Sequence, residues 1–149
     1  MLALAFKPKG WDTRHRAKEL LRLEREYWLR RDVPWLLITP ELYDLRVLLT
    51  LRRIACWAIV DAASPELRRV ACDIAIANPF ASVTQLLQLI ERRCSSMYMA
   101  QCALWQAVWY GDLPIRLSRG WRPHRPLEHI SPEEFALQNP IASRRSSWT

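Results

Sequence analysis

The sequence predicts a mainly α chain whose later helices form a helix-turn-helix closed by a β-ribbon wing, a winged-helix arrangement. Three observations lead there. Leu, Ala, Arg and Glu are plentiful while the 149 residues hold only 3 glycines, a composition that favours helices over an all-β sandwich. Helix-start signatures recur, with Thr39-Pro40-Glu41, Ser64-Pro65-Glu66 and Ser82-Val83-Thr84-Gln85 each placing a capping residue ahead of an amphipathic run. Finally, Gly111 closes a helix, and Leu113 to Trp121 follows as a two-stranded ribbon turning at Ser118-Arg119-Gly120.

From the N-terminus, Leu2 to Lys7 is a short apolar strand, and Trp35 to Thr39 is the one segment nearby that it can pair with. Between them a charged helix runs to about Arg31, capped by Asp12 or Thr13. Its apolar side carries Ala17, Leu20, Leu21, Leu23, Tyr27 and Trp28, with Glu24 among them. Arg22 with Glu26, and Glu26 with Arg30, stand at ion-pair spacing on the solvated side. A second helix opens at Pro40, places Leu42, Leu45, Leu48 or Leu49, Ile54 and Trp57 inward, and runs toward Val60. The third ends before Asn78-Pro79, the fourth spans Ser82 to Cys94, and the fifth covers Met97 to Tyr110. Met97, Trp105 and Trp109 read as core. Beyond Arg122 the chain turns Pro-rich; Ser131-Pro132 starts a short helical turn and the final SRRSSWT reads as disordered. These breaks divide the chain into 1–39, 40–122 and 123–149.

Twenty-two basic against 15 acidic residues give a net charge of +7, which suits DNA or an acidic partner without specifying either. Cys56, Cys72, Cys94 and Cys102 lack metal-ligand spacing and read as buried thiols of a reducing cytoplasm. His15, His124 and His129 form no ligand cluster. No run reaches the length of a membrane span, and no secretory signal is expected, so the sequence places the protein in the cytoplasm.

Two residues ask for chemistry. Glu24 is a carboxylate among large apolar side chains, costly unless it meets a cation, a donor or a metal. Lys7 ends the first strand, 17 positions earlier. Each has a plain alternative: Lys7 as a solvated strand terminator, Glu24 reaching solvent past Trp28 or pairing with Arg14 or Arg31. Arg116, Arg119, Arg122 and Arg125 near the wing are a DNA-phosphate grip or else a solvated basic loop. The fifth helix offers only Gln101 and Gln106 to a groove, so base-specific reading is not expected of it.

Lys7, Glu24 and the strings LEREYW and VPWLLIT resemble TnsA, the endonuclease subunit of heteromeric cut-and-paste transposases. The likeness covers residues 1 to 60 best. It implies that residues 1–39 are a strand–helix–strand remnant of a restriction-endonuclease-like core and that a winged-helix C-terminal domain follows. It also implies that Lys7 and Glu24 are catalytic-site remnants. The family's strand ends in Gln-x-Lys, and Ala5 stands in the glutamine position here. The family's principal acidic ligands would precede Met1, so Mg²⁺ would bind at Glu24 only with a completing chain. The partners implied are the transposase catalytic subunit, the transposition ATPase and DNA. The function expected is docking and non-specific DNA contact in transposition. Its rivals are half of a split Mg²⁺-dependent endonuclease, a free-standing winged-helix DNA-binding regulator, and a decayed fragment.

Overall fold

A computed structural model describes residues 3–10, 15–40, 44–60 and 63–139. The caps expected at Asp12 or Thr13, the partner Arg14, Leu42 and the last residues of the tail lie outside them. The described elements are mainly helical, and the chain divides into two compact units, residues 1–43 and 44–149.

In the first unit, β1 (Ala3–Phe6) and β2 (Trp35–Ile38) flank helix α1 (His15–Leu29). The strands pair in parallel, Ala3 opposite Trp35 and Phe6 opposite Ile38, as a connection through a helix allows. Alternation along β1 buries Ala5 and exposes Leu4 and Phe6. Ala5, Leu21 and Trp35 form a small core with Trp28 against it. The inward stripe of α1 is narrower than the sequence suggests. Leu20, Leu23 and Tyr27 are exposed, because two short strands can cover only one helical row, Ala17-Leu21-Glu24-Trp28. The helix also stops earlier, at Leu29. Asp32 takes a left-handed φ of 52°, which Asp tolerates better than most residues, and the chain reverses so that Val33 N–H donates to the Trp28 carbonyl. Arg22 and Glu26 pair at 3.2 Å on the outer side.

The second unit contains α2 (Leu45–Ala58), α3 (Pro65–Ala77), α4 (Val83–Cys94), α5 (Met97–Tyr110) and α6 (Pro132–Leu137). The boundaries of α3, α4 and α5 follow from local chemistry. The Ser64 hydroxyl accepts from Leu67 N–H ahead of Pro65, Ser82 and Gln85 close a reciprocal capping box, and Gly111 ends α5 at φ +82°. Helix α2 begins later than Pro40 would have it. Asp44 is its cap, with its carboxylate accepting from Arg46 N–H at 2.8 Å. Its buried stripe is Val47, Thr50, Ile54 and Ala58, so Leu45, Leu48 and Leu49 face outward.

Helix α5 is the centre of this unit. Ala100 and every residue from Cys102 to Val108 are buried, and α2, α3 and α4 all pack on it. A helix apolar on all sides belongs inside a bundle. Gln106, offered by the sequence to a groove, instead lies in the core and donates from Nε2 to the Val60 carbonyl. Trp105 is wholly buried, while Trp109 is exposed.

The ribbon expected at Leu113 to Trp121 does not form. Leu117–Arg119 is a turn of 3-10 helix, held to α2 where the buried Thr50 hydroxyl donates to the Leu117 carbonyl at 2.8 Å. The extended partner of this segment is farther along. Ile115 bridges antiparallel to His129, with Arg116 N–H donating to Glu128 O and Ile130 N–H to Pro114 O. Residues 123–139 are consequently built into the unit and not appended to it. Leu127 is buried and Phe135 packs on the core. The Gln138 side chain accepts from Leu117 N–H at 2.7 Å and donates to Ile115 O at 2.9 Å. Among the thiols, Cys72 and Cys102 are buried as expected and burial raises their pKa, but Cys56 is exposed.

Burial also pushes the His129 imidazole below its ordinary value. The unfolded chain then binds this proton more readily than the folded one. The contribution to stability is complete above the unfolded value of 6.5 and is lost as pH falls through the lower folded value. We expect urea midpoints to decline between about pH 7 and pH 5, and the decline to flatten in His129→Phe. Parallel profiles for the two proteins would remove His129 as the cause.

Candidate functional site

Lys7 follows β1 directly, with its N–H donating to the Ile38 carbonyl at 3.0 Å, so the end of the parallel pair fixes its backbone. Glu24 projects from the inward row of α1, one turn before Trp28. The two side chains meet, Lys7 Nζ lying 3.9 Å from Glu24 Oε2. Each keeps more than a third of its side-chain surface exposed, 35% and 38%. Glu24 therefore finds a cation, and its proximity to apolar neighbours is offset by both the ammonium and water. Arg31, an alternative partner in the sequence, instead donates to the Tyr27 carbonyl and stacks on the Tyr27 ring at 3.6 Å.

A long, half-exposed contact of this kind contributes little to stability. In a double-mutant cycle of Lys7→Ala and Glu24→Ala, followed by urea unfolding, the coupling should be below about 1 kcal/mol. Coupling above about 2 kcal/mol would mean a pair shut off from water.

Magnesium requires several oxygen ligands in near-octahedral array. Glu24 supplies one carboxylate with an ammonium beside it, and among the described residues no three His, Cys, Asp or Glu side chains gather. The described residues do not by themselves fit a magnesium site.

The four arginines near the C-terminal segment separate into two pairs. Arg116 Nε lies 2.6 Å from Glu128 Oε1, Arg119 Nε lies 3.0 Å from the other oxygen of the same carboxylate, and Glu134 approaches Arg116 at 3.8 Å. Two glutamates thus offset two arginines. Arg122 and Arg125 are exposed, with His124 exposed between them. Their backbones form a turn, Arg125 N–H to Arg122 O at 3.1 Å, and Arg125 O accepts from Val83 N–H at the start of α4. This turn is the part of the basic segment that can grip phosphate. Glu128, which organises the other two arginines, was missed in the sequence. It lies 12 residues from Arg116, and no local spacing connects them.

Neither a scan against protein-family models nor a search of the curated proteins finds a match to this chain. No helix among the described residues is long and apolar enough to cross a membrane.

Proposed function

We propose that this chain is the C-terminal part of a TnsA-like transposase endonuclease subunit. It acts in DNA transposition by docking to the transposase catalytic subunit and the transposition ATPase, and by holding DNA non-specifically. The observation that supports this most is the meeting of Lys7 and Glu24 at 3.9 Å on a strand–helix–strand unit. The resemblance pairs a strand-end lysine with a carboxylate on the next helix, and 17 positions of sequence say nothing by themselves about spatial contact. On this reading the first unit is the end of a restriction-endonuclease-like core. The second is its winged-helix domain, with the Ile115–His129 bridge in the place of a wing. One carboxylate and one ammonium give no independent cleavage, so the module works by binding.

The burial of α5 from Cys102 to Val108 argues against the free-standing regulator, because the middle of the helix has no face left for a groove. DNA contact then falls to the Arg122–Arg125 turn and is blind to sequence. Fluorescence anisotropy with two unrelated duplexes should give equal affinities that fall steeply with salt. Arg122→Ala with Arg125→Ala should make the log–log salt slope shallower by about 2. A preference for one duplex by about a thousandfold would instead indicate base reading, and no binding to either would remove DNA from the proposal. Docking predicts co-elution with purified transposase and ATPase of a TnsA-type system.

One observation favours a second reading, half of a split endonuclease. Among the described residues β1 pairs only with β2, and Leu4 and Phe6 are exposed on it, as they would be if further strands came from a separate chain bearing the missing acids. That reading requires Mg²⁺-dependent nicking on mixing the two chains, abolished by Glu24→Gln. Silence from a correctly assembled mixture would eliminate it.

A further inference from the structure

The turn between α3 and α4 opens beside a shallow groove of about 400 Å³, lined by Ile74, Asn78, Leu89, Arg92 and Arg93. The groove lies wholly within the second unit, so the inference drawn from it does not rest on the reading of Lys7 and Glu24.

Two features of this face go together. The groove wall is apolar on one side, where Ile74 of α3 and Leu89 of α4 remain half-buried and are not closed over by other side chains. Its other side is strongly cationic. Arg92 and Arg93 occupy the last turn of α4, both exposed, and neither forms an ion pair with another described residue. By contrast Arg116 and Arg119, also on this unit, are tied to Glu128.

Arginines at a helix C-terminus are favoured by the helix dipole alone, so their position needs no ligand. The dipole does not account for apolar walls left open next to them. Together the two call for an occupant with an apolar anchor and adjacent carboxylates. Duplex DNA satisfies the guanidinium groups but offers nothing to Ile74 or Leu89, and a purely apolar segment would leave two arginines to be desolvated without a partner.

We infer that the α3–α4 groove is a docking site for an acidic linear peptide segment of a partner protein, with an apolar side chain seated between Ile74 and Leu89 and carboxylates on Arg92 and Arg93. Planar, forked guanidinium groups suit this role because they bind carboxylates in two-point fashion.

The experiment is selection of random short peptides displayed on phage against the full chain, followed by binding measurements on the selected peptides. The expected outcome is enrichment of sequences with Asp or Glu within a few positions of Leu, Phe or Trp. Their amide shift changes should centre on Ile74, Asn78, Leu89 and the two arginines. Arg92→Glu with Arg93→Glu, both at exposed positions, should weaken binding by about tenfold or more with an unchanged circular dichroism spectrum. Leu89→Gln should weaken the same peptides without changing their charge preference. The inference is overturned by enrichment of basic or uncharged peptides, by shift changes elsewhere, or by no enrichment. It is equally overturned if a duplex displaces the peptides in the wild type while the charge-reversed protein binds them normally.

Discussion

Replacing Trp105 with alanine should destabilise the second unit by about 3–4 kcal/mol, a large part of the roughly 5–15 kcal/mol that holds a domain of this size folded. Trp105 is wholly buried in α5 and its ring stands 4.9 Å from that of Trp121 at 38°, so truncation leaves a cavity between the central helix and the segment after the 3-10 turn. The value belongs toward the lower part of the range for tryptophan because Trp105 Nε1 has no hydrogen-bond partner among the described residues. Removing the ring also removes a buried donor that is costly to leave unmatched. That detail separates two substitutions. Trp105→Phe keeps much of the ring and discards the unmatched N–H, and should cost less than about 1.5 kcal/mol. Urea unfolding followed by far-ultraviolet circular dichroism measures both. If the alanine variant loses less than about 1 kcal/mol, α5 is not the centre of the unit.

A chain ending at Arg122 should be at least about 3 kcal/mol less stable in the second unit than one ending at Asn139. The shorter chain lacks Leu127, worth about 2 kcal/mol when buried, and the Phe135 ring against the core. It also strips Leu117 N–H and Ile115 O of their bonds to Gln138, and Val83 N–H and Thr84 N–H of the Arg125 and Pro123 carbonyls. Each such bond contributes on the order of 1 kcal/mol, partly offset by the entropy of no longer ordering the segment. Amide exchange at Val83, Thr84, Ile115 and Leu117 reports the loss residue by residue. Equal stability of the two chains would return residues 123–139 to the status of an appendage.

The parts of this fold legible in the sequence are those set by chemistry within a few residues. Ser64 before Pro65, Ser82 three before Gln85 and Gly111 after Tyr110 mark helix ends that need no tertiary information. Phase was harder. Helix α2 carries Leu45, Leu48 and Leu49 on one row and Val47, Thr50 and Ile54 on another, both at helical spacing, and only α5 and the Leu117 turn decide which row is buried. The ribbon expected at Leu113 to Trp121 failed to form for a related reason. Ser118-Arg119-Gly120 has turn chemistry, but the partner of Ile115 is His129, across a reversal that no local spacing reveals. At the candidate site, Glu24 announced itself as a carboxylate on an apolar row, and the resemblance singled out Lys7. The compensation of Arg116 and Arg119 by Glu128 stayed hidden for the same reason as the Ile115–His129 bridge.

The position of α5 in the chain has a consequence for synthesis on the ribosome. It is the fourth helix of its unit to be made and the one on which the earlier three depend. While α2, α3 and α4 leave the exit tunnel, the rows bearing Val47, Ile54, Ala71, Leu86 and Ile90 have only the packing of α3 on α4 to cover them. Leu127 and Phe135, which complete the enclosure, come later still. Nascent chains of this protein must therefore carry bare apolar surface until nearly the whole unit has emerged. A holding chaperone would find its substrate in that interval, and a pause in translation just before Met97 would prolong it.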